Sequence, residues 1–369
     1  MEYHQFSGGG KGGGGGGGRL ESWGATLGVG KKAAAAGLTL RRGPAPPTAA
    51  TGPAKLLSVA VIGLSGGEKE KGSMGVGKSC LCNRFVQPLA DDYSVDHISV
   101  FSQSDFSGRV VNNDHFLYWG DVRKTNDEGA EFHIQVVEQT EFYDDASFQS
   151  FKAGKNDAYV KRCTATKLVS AEKLMYICKD QLGIELEYEQ RVMPGGCFQV
   201  DGFLVVFDVS HVPNRSVERQ VEVLAQILNQ TMKAKKPVVV AATKCDEADE
   251  ILVRELERLI NRKEFKNANI PVVETSSHEN INVDGAFFAL AQLIDKTRGR
   301  SRVLSFVEAA HMRRELLDLV TDGYARVLRQ QVRDYGITWS TAIKKLAQFH
   351  EYQAYADIFG KDSARRLFA

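Results

Sequence analysis

The stretch that decides the fold reads Leu57-Ser58-Val59-Ala60-Val61-Ile62-Gly63 and, after a polar interval, Gly72-Ser73-Met74-Gly75-Val76-Gly77-Lys78-Ser79. The first part is a short apolar run ended by glycine, which is typical of a buried parallel strand. The second part fits the pattern G-x-x-x-x-G-K-[ST], and the amphipathic segment 78–86 after it predicts a helix. Backbone N–H groups of such a loop hold phosphates. We therefore expect Lys78 to reach the β- and γ-phosphates and the Ser79 hydroxyl to bind Mg²⁺.

The segment between the end of the first predicted strand, at Gly63, and the glycine-rich loop is longer than a phosphate-binding loop requires. Lys78 follows Gly63 by fifteen positions, so we interpret residues 65–71 as an insertion. The insertion could be a passive solvated bulge, or its Lys71 could contact the nucleotide. We favour contact.

Strands and helices alternate after this loop. Apolar runs predict strands at residues 132–137, 201–208, 237–242 and 270–274. Helical spacing of apolar residues predicts helices at residues 217–233, 252–263 and 283–297. This alternation predicts a parallel, doubly wound sheet.

Two short motifs at predicted strand ends indicate which base is bound. Thr243-Lys244-Cys245-Asp246 directly follows the strand 237–242, at the edge where open α/β sheets bind ligands. The Asp246 carboxylate can accept hydrogen bonds from guanine N1–H and the exocyclic amine, a pair that adenine does not offer. Glu274-Thr275-Ser276-Ser277 ends the next strand and could present backbone N–H groups to guanine O6. Together the motifs predict a guanine nucleotide.

Composition excludes several classes of protein. The chain has 369 residues, 43% hydrophobic and 25% charged, with a net charge of +1, so bulk electrostatics favour neither nucleic acid nor a membrane surface. No apolar run is long enough to span a membrane. The six cysteines and eight histidines match no zinc pattern, and we interpret the cysteines as reduced thiols of a cytoplasmic protein. Residues 1–54, rich in Gly, Ala and Pro, are expected to be a disordered tail.

The last seventy or so residues change character and predict a small all-helical unit. Helical patterns occupy residues 306–332, 339–346, 351–358 and 363–368. The chain stops at Ala369 within a pattern and without a capping residue, so we expect a truncated end.

Several stretches resemble one family, the large FF-repeat Rho GTPase-activating proteins (the Rho GTPase-activating protein 5 and 35 group). The resemblance is carried by Asn112–Gly120, Cys80–Phe85 and Ser170–Tyr176, and in the helical unit by Trp339, Lys344-Lys345-Leu346, Tyr352, Tyr355 and Arg365–Phe368. It implies a Ras-like domain over residues 56–298, then a first FF repeat that binds protein partners in Rho-family signalling. The family's RhoGAP domain and arginine finger do not fall within these residues. The resemblance therefore implies a fragment or truncated product whose GTPase-activating function belongs to the parent protein.

The hydrolysis motif of Ras-like domains, D-x-x-G-Q after the third strand, is altered here. Glu138 replaces the Asp, Glu141 replaces the Gly, and Phe142 stands at the position of the Gln that orients the attacking water. Phe cannot orient a water, and a Glu near the γ-phosphate would repel it. We predict a pseudoGTPase with negligible turnover and no catalytic residue, so the chain is not expected to act as an enzyme.

Two further segments bear on the nucleotide. Ser99, in Asp96-His97-Ile98-Ser99, could supply a second hydroxyl to Mg²⁺, or it could be an ordinary loop serine. Residues 143–197 have no counterpart in a minimal GTPase, and helical periodicity predicts a helix within them at residues 161–182. That helix could cover the switch surface or pack elsewhere on the sheet.

The combined prediction is an α/β fold, a Ras-like P-loop doubly wound sheet followed by a small all-α FF-type unit. The domains are a tail at residues 1–54, a Ras-like domain at 55–298 and the helical unit at 299–369. GTP and Mg²⁺ are the expected cofactors, with Ser79 and Ser99 as metal ligands. One alternative is a slow GTPase that uses Gln139 or an external group, and the other is a nucleotide-independent scaffold. The expected nucleotide-binding residues are Lys71, Gly75, Val76, Gly77, Lys78, Ser79, Cys80, Val95, Ser99, Glu138, Gln139, Thr140, Lys244, Cys245, Asp246, Thr275, Ser276 and Ser277.

Overall fold

The computed structural model describes residues 54–64, 75–88, 116–139, 156–169, 174–177, 189–192, 197–298, 302–333 and 336–369. Its strands are β1 (Leu56–Gly63), β2 (Phe116–Thr125), β3 (Glu131–Gln139), β4 (Lys167–Val169), β5 (Leu174–Ile177), β6 (Glu189–Val192), β7 (Cys197–Gln199), β8 (Gly202–Asp208), β9 (Val238–Thr243) and β10 (Val272–Glu274). Its helices are α1 (Lys78–Val86), α2 (Asn156–Cys163), α3 (Val217–Lys233), α4 (Glu250–Ile260), α5 (Lys263–Lys266), α6 (Val283–Ile294), α7 (Phe306–Gln331), α8 (Trp339–Leu346), α9 (His350–Phe359) and α10 (Lys361–Phe368).

Eight strands form one sheet in the order β10-β9-β8-β1-β3-β2-β5-β6. The pairs from β10 to β3 are parallel, as is β2 with β5, whereas β2–β3 and β5–β6 are antiparallel. Every residue of β8 and of β9 is buried, as expected of parallel strands with helices on both faces. The parallel, doubly wound prediction is therefore confirmed for the half of the sheet that carries the motifs, and antiparallel pairs extend it.

Helices cover the sheet in two groups. Helices α1 and α6 contact each other, and α6 also contacts β8 and β9. The rings of Phe85 and Phe287 stack at a centroid distance of 3.8 Å and join α1 to α6. Helix α3 contacts α2, α4 and β8. Helix α6 packs closely against Gly202, because a Cβ there would lie 2.9 Å from Ile294 Cδ1 and that side chain would have to shift. These contacts fix the position of α1 above the sheet.

The helix predicted at residues 161–182 is wrong. Helix α2 ends at Cys163, and strands β4 and β5 follow within the segment. The backbone of β5 pairs with both β2 and β6, so sheet hydrogen bonds with distant residues decide its conformation. A short apolar run such as 174–177 fits a strand or a helix equally well by local pattern, and tertiary pairing selects between them.

The C-terminal helices enclose a separate core. Tyr324 of α7 is fully buried, and its hydroxyl donates to the Ala364 carbonyl over 3.1 Å. Its ring lies against Tyr352 and Tyr355, with centroid distances of 5.7 and 4.8 Å. A capping box at Ser305 starts α7. None of the described helices is both long enough and apolar enough to cross a bilayer.

Candidate functional site

The phosphate half of the site is the turn from Gly77 into α1. Gly77 has a φ of +90°, a left-handed conformation that glycine adopts without strain. No side chain caps the first turn of α1 within the described chain, and that turn holds no acidic residue. The buried Lys78 ammonium donates to the Leu64 carbonyl over 2.9 Å. A left-handed glycine, the positive potential of the helix N-terminus and a buried cation make this turn suitable for phosphates.

Ser79 contacts the residue that replaces the hydrolysis-motif aspartate. Its hydroxyl donates to Glu138 Oε1 over 3.0 Å, and the Trp119 indole Nε1–H donates to Glu138 Oε2 over 3.0 Å. All three side chains are buried. The glutamate at the end of β3 is therefore held beside the phosphate turn. Trp119 was missed by sequence reasoning, although it lies in the stretch 112–120 that carried the family resemblance.

A direct bond joins the phosphate turn to the base motif. The Thr243 hydroxyl lies 2.7 Å from the Val76 carbonyl oxygen, to which it donates, and 3.4 Å from the Phe207 carbonyl oxygen. Thr243 stands where Asn is commoner, yet it still ties the two loops together. A Cβ at Gly77 would lie 3.5 Å from the Thr243 side chain, so the two segments are in close contact.

The Lys244 side chain pairs with Asp208, a carboxylate that the sequence analysis did not identify as part of the site. Its ammonium lies 2.7 Å from Asp208 Oδ2, and the Arg215 guanidinium lies 2.5 Å from the same oxygen. Asp208 Oδ1 accepts from the backbone N–H and the hydroxyl of Ser210, each at 2.8 Å. Asp208 is completely buried. The available signal was an acidic residue closing an apolar strand that ends at the ligand-binding edge.

The base half of the site consists of Asp246 and the loop after β10. Asp246 is half-buried in a single 3₁₀ turn, Cys245–Glu247, beyond β9. The backbone N–H of Thr275 donates to Ala242 O and that of Ser276 donates to Ile281 O, so both are already engaged. Of the expected trio, Ser277 is therefore the residue whose N–H could face guanine O6. Arg84 of α1 donates to the Ser277 carbonyl over 2.8 Å and ties this loop to the phosphate helix.

The two cysteines of the site are neutral thiols. Burial raises the pKa of Cys80 to about 12, an effect that the nearby Lys244 charge partly opposes. Burial, reinforced by the Glu274 carboxylate, also raises the pKa of Cys245 well above its ordinary value. These residues can therefore contribute backbone groups or packing to a bound nucleotide, but no thiolate charge.

Of the remaining expected residues, Gln139 lies within the described part of the chain. Gln139 is buried, and its amide nitrogen finds no hydrogen-bond partner among the described residues. Successive strand residues face opposite sides of a sheet, so we expect Gln139 to point away from the face of Glu138. Lys71, Val95, Ser99 and Thr140, with the insertion 65–71, lie outside the described residues.

The fold and the site together define the chain as a Ras-like P-loop domain followed by an FF-type helical unit. The model of the Ras family matches residues 157–296, and the model of the p190-A and -B Rho GAPs FF domain matches residues 308–369.

Two longer proteins match most of this chain. Rho GTPase-activating protein 190 of Drosophila melanogaster is 57% identical over 311 residues, which are 84% of this chain and 20% of that protein. Rho GTPase-activating protein 35 of Mus musculus is 46% identical with the same coverage. The resemblance to the large Rho GTPase-activating proteins is thereby confirmed, and this chain spans about a fifth of the length of these relatives.

Proposed function

We propose that this chain is a guanine-nucleotide-binding module that holds GTP with Mg²⁺ as a stable ligand and hydrolyses it little or not at all. The observation that carries the proposal is the bond from Thr243 to the Val76 carbonyl, because it places the phosphate turn beside the base motif. The phosphate turn follows β1 and the base motif follows β9, two parallel strands on either side of β8, and doubly wound sheets bind nucleotides at the carboxyl ends of such strands. Ligand binding would stabilise the folded chain by mass action without any turnover.

Magnesium suits the oxygen atoms at the phosphate turn. The Ser79 hydroxyl and the Glu138 carboxylate are hard oxygen donors lying 3.0 Å apart. Within the described ranges no group of three or more His, Cys, Asp or Glu side chains could hold a metal alone. Mg²⁺ commonly takes one or two protein ligands and completes its shell with phosphate oxygens and waters. The residues present therefore fit a metal that arrives with a nucleotide, where it would neutralise phosphate charge.

The altered hydrolysis motif supports the proposal that bound GTP is retained and not hydrolysed. Glu138 stands where the motif has Asp, and Phe142 stands where the motif has the Gln that orients the attacking water. The alternative of a slow GTPase uses either Gln139, whose side chain we expect on the other face of β3, or an external group. A Ras-like domain with its Gln in place turns over at only about 10⁻⁴ s⁻¹ unaided. We therefore rank the slow GTPase second and the nucleotide-independent scaffold third.

One measurement separates the three functions. The purified chain is denatured, and the released nucleotide is identified by chromatography against standards. Bound GTP with little GDP supports the proposal, and mostly GDP indicates hydrolysis. An absence of nucleotide, together with failure to take up added GTP, supports the scaffold.

Substituting Ser79→Asn is expected to lower nucleotide occupancy at limiting Mg²⁺ at least about tenfold, because a hydroxyl bonded to charged partners is lost. The measurement is the amount of guanine nucleotide that co-purifies per mole of protein. Ser58→Ala is the matched control, since Ser58 Oγ bonds Gln135 within the sheet and lies outside the site. Equal occupancy in Ser79→Asn and wild type would contradict the magnesium assignment.

For the helical unit we propose protein binding within Rho-family signalling, in a cytoplasmic setting. The support is the match of residues 308–369 to an FF domain. A photoreactive residue at exposed Leu367 should crosslink to a discrete protein in cells. A substitution that breaks the core, Tyr324→Ala, should abolish that crosslink. Crosslinking that survives the disruption would contradict a folded docking surface.

A further inference from the structure

A β-bulge interrupts the pairing of β2 with β3 at Trp119. Leu117 pairs with Glu138 and Tyr118 with Val137, but Gly120 already pairs with Val136. Trp119 is thus the extra residue of β2, without an opposite residue on β3. Gly120 has a φ of +126°, a conformation that residues with a Cβ rarely adopt. The dipeptide Trp119-Gly120 therefore builds a local irregularity into the strand beside the site.

Bulges near binding sites commonly change the direction of a side chain. Here the extra residue is 4% exposed, and its indole Nε1 lies 3.0 Å from Glu138 Oε2. A buried indole N–H needs an acceptor, and the indole can only donate. The other carboxylate oxygen, Oε1, is left for the Ser79 hydroxyl. The two bonds thus engage different oxygens of Glu138.

We propose that Trp119 is a positioning residue for the metal site: the bulge at Trp119-Gly120 directs the indole N–H to Glu138 and fixes the carboxylate that, with Ser79, receives Mg²⁺. This inference rests on the proposed binding of GTP and magnesium. Glutamate has one more rotatable bond than the aspartate it replaces, and ordering that bond costs conformational entropy. The Trp119 indole holds the longer Glu138 side chain in a single orientation. The metal site therefore keeps a defined geometry although Glu replaces Asp.

The test measures how tightly magnesium holds the nucleotide. The full chain is loaded with a fluorescent GTP analogue, and its release rate is followed across buffered free Mg²⁺ concentrations and in excess EDTA. The proteins compared are wild type, Trp119→Phe, Glu138→Gln and the double variant. Tyr118→Phe is the control, because it removes a neighbouring side-chain hydrogen bond, to Gln135, that does not involve Glu138.

Trp119→Phe is expected to raise the Mg²⁺ concentration for half-maximal retention by about 10- to 100-fold, the usual effect of losing a residue that orients a metal ligand. Release in EDTA should be unchanged, since no metal is then bound. The double variant should be no worse than Glu138→Gln, because Trp119 acts only through Glu138. The control should match wild type.

An unshifted midpoint in Trp119→Phe, additive effects in the double variant, or equally faster release in EDTA would overturn the inference while leaving nucleotide binding intact. A wild type that retains no guanine nucleotide at any Mg²⁺ concentration would instead overturn the proposed function, and this inference with it.

A second readout covers the case in which Trp119→Phe does not fold. The chain has three tryptophans, and ¹⁵N-indole spectra of the GTP-loaded wild type resolve their N–H groups separately. The Trp119 signal should move on Mg²⁺ addition and in Glu138→Gln, whereas the Trp339 signal in the helical unit should not. A Trp119 signal that moves neither on Mg²⁺ addition nor in Glu138→Gln would refute the inference.

Discussion

Asp246→Asn is expected to weaken GTP binding by about 10²- to 10⁴-fold and to make the xanthine nucleotide the preferred ligand. A carboxylate accepts from guanine N1–H and the exocyclic amine, and each bond to a charged group contributes about 1.5–3 kcal/mol. Asn removes the charge from both bonds and turns one acceptor into a donor that faces the exocyclic amine. A loss of about 1.5–3 kcal/mol at each bond corresponds to the expected 10²- to 10⁴-fold weakening, since about 1.4 kcal/mol is tenfold in affinity. The amide of Asn can instead donate to the 2-oxo group of xanthine, which carries oxygen where guanine carries the amine.

The measurement is competition between GTP and XTP for the purified chain. Glu247→Gln provides the control, because Glu247 shares the 3₁₀ turn with Asp246 and is exposed. That variant should bind GTP like wild type. If Asp246→Asn still prefers GTP, the carboxylate does not read the base and the assignment of this loop is wrong.

Asp208→Asn is expected to destabilise the folded chain by about 3–5 kcal/mol, because it removes the buried carboxylate charge that both the Arg215 guanidinium and the Lys244 ammonium contact. Thermal unfolding should shift down by about 6–20 °C for a domain of this size. The physical reason is desolvation, since a guanidinium that is out of water depends on the carboxylate beside it.

Circular dichroism melting and urea titration of the nucleotide-free chain check this expectation. Glu222→Gln is the matched control, because Glu222 pairs with Arg219 on the exposed face of α3 and such pairs contribute little. A loss below about 1 kcal/mol in Asp208→Asn would show that the Asp208 cluster is not a buried ionic network of consequence.

The spacing of apolar residues was sufficient to predict the bounds of a helix or strand where a segment had one strong hydrophobic period. Helices α1, α3 and α8 have the bounds that apolar spacing predicted, and β1, β8 and β9 match their apolar runs to within one residue. Pattern failed at residues 161–182, where the observed strands pair with partners far away in sequence. It also gave no strand at residues 116–125, because the bulge at Trp119 breaks the alternation of that segment. Residues 116–125 form strand β2 because their backbone pairs with the facing strand β3.

The sequence by itself determined the Ras-like sheet and the family resemblance, and it predicted the phosphate turn at Lys78 and Ser79 and the base motif with Asp246, whose binding roles stay predictions. Each of these is a contiguous motif whose residue types and spacing carry the chemistry. Only the tertiary structure decided the pairs that join distant segments: Thr243 with Val76, Asp208 with Lys244, and Trp119 with Glu138. Such pairs depend on strand order and on a one-residue bulge, which place side chains within 3 Å across the fold through long-range backbone pairing that local periodicity does not encode.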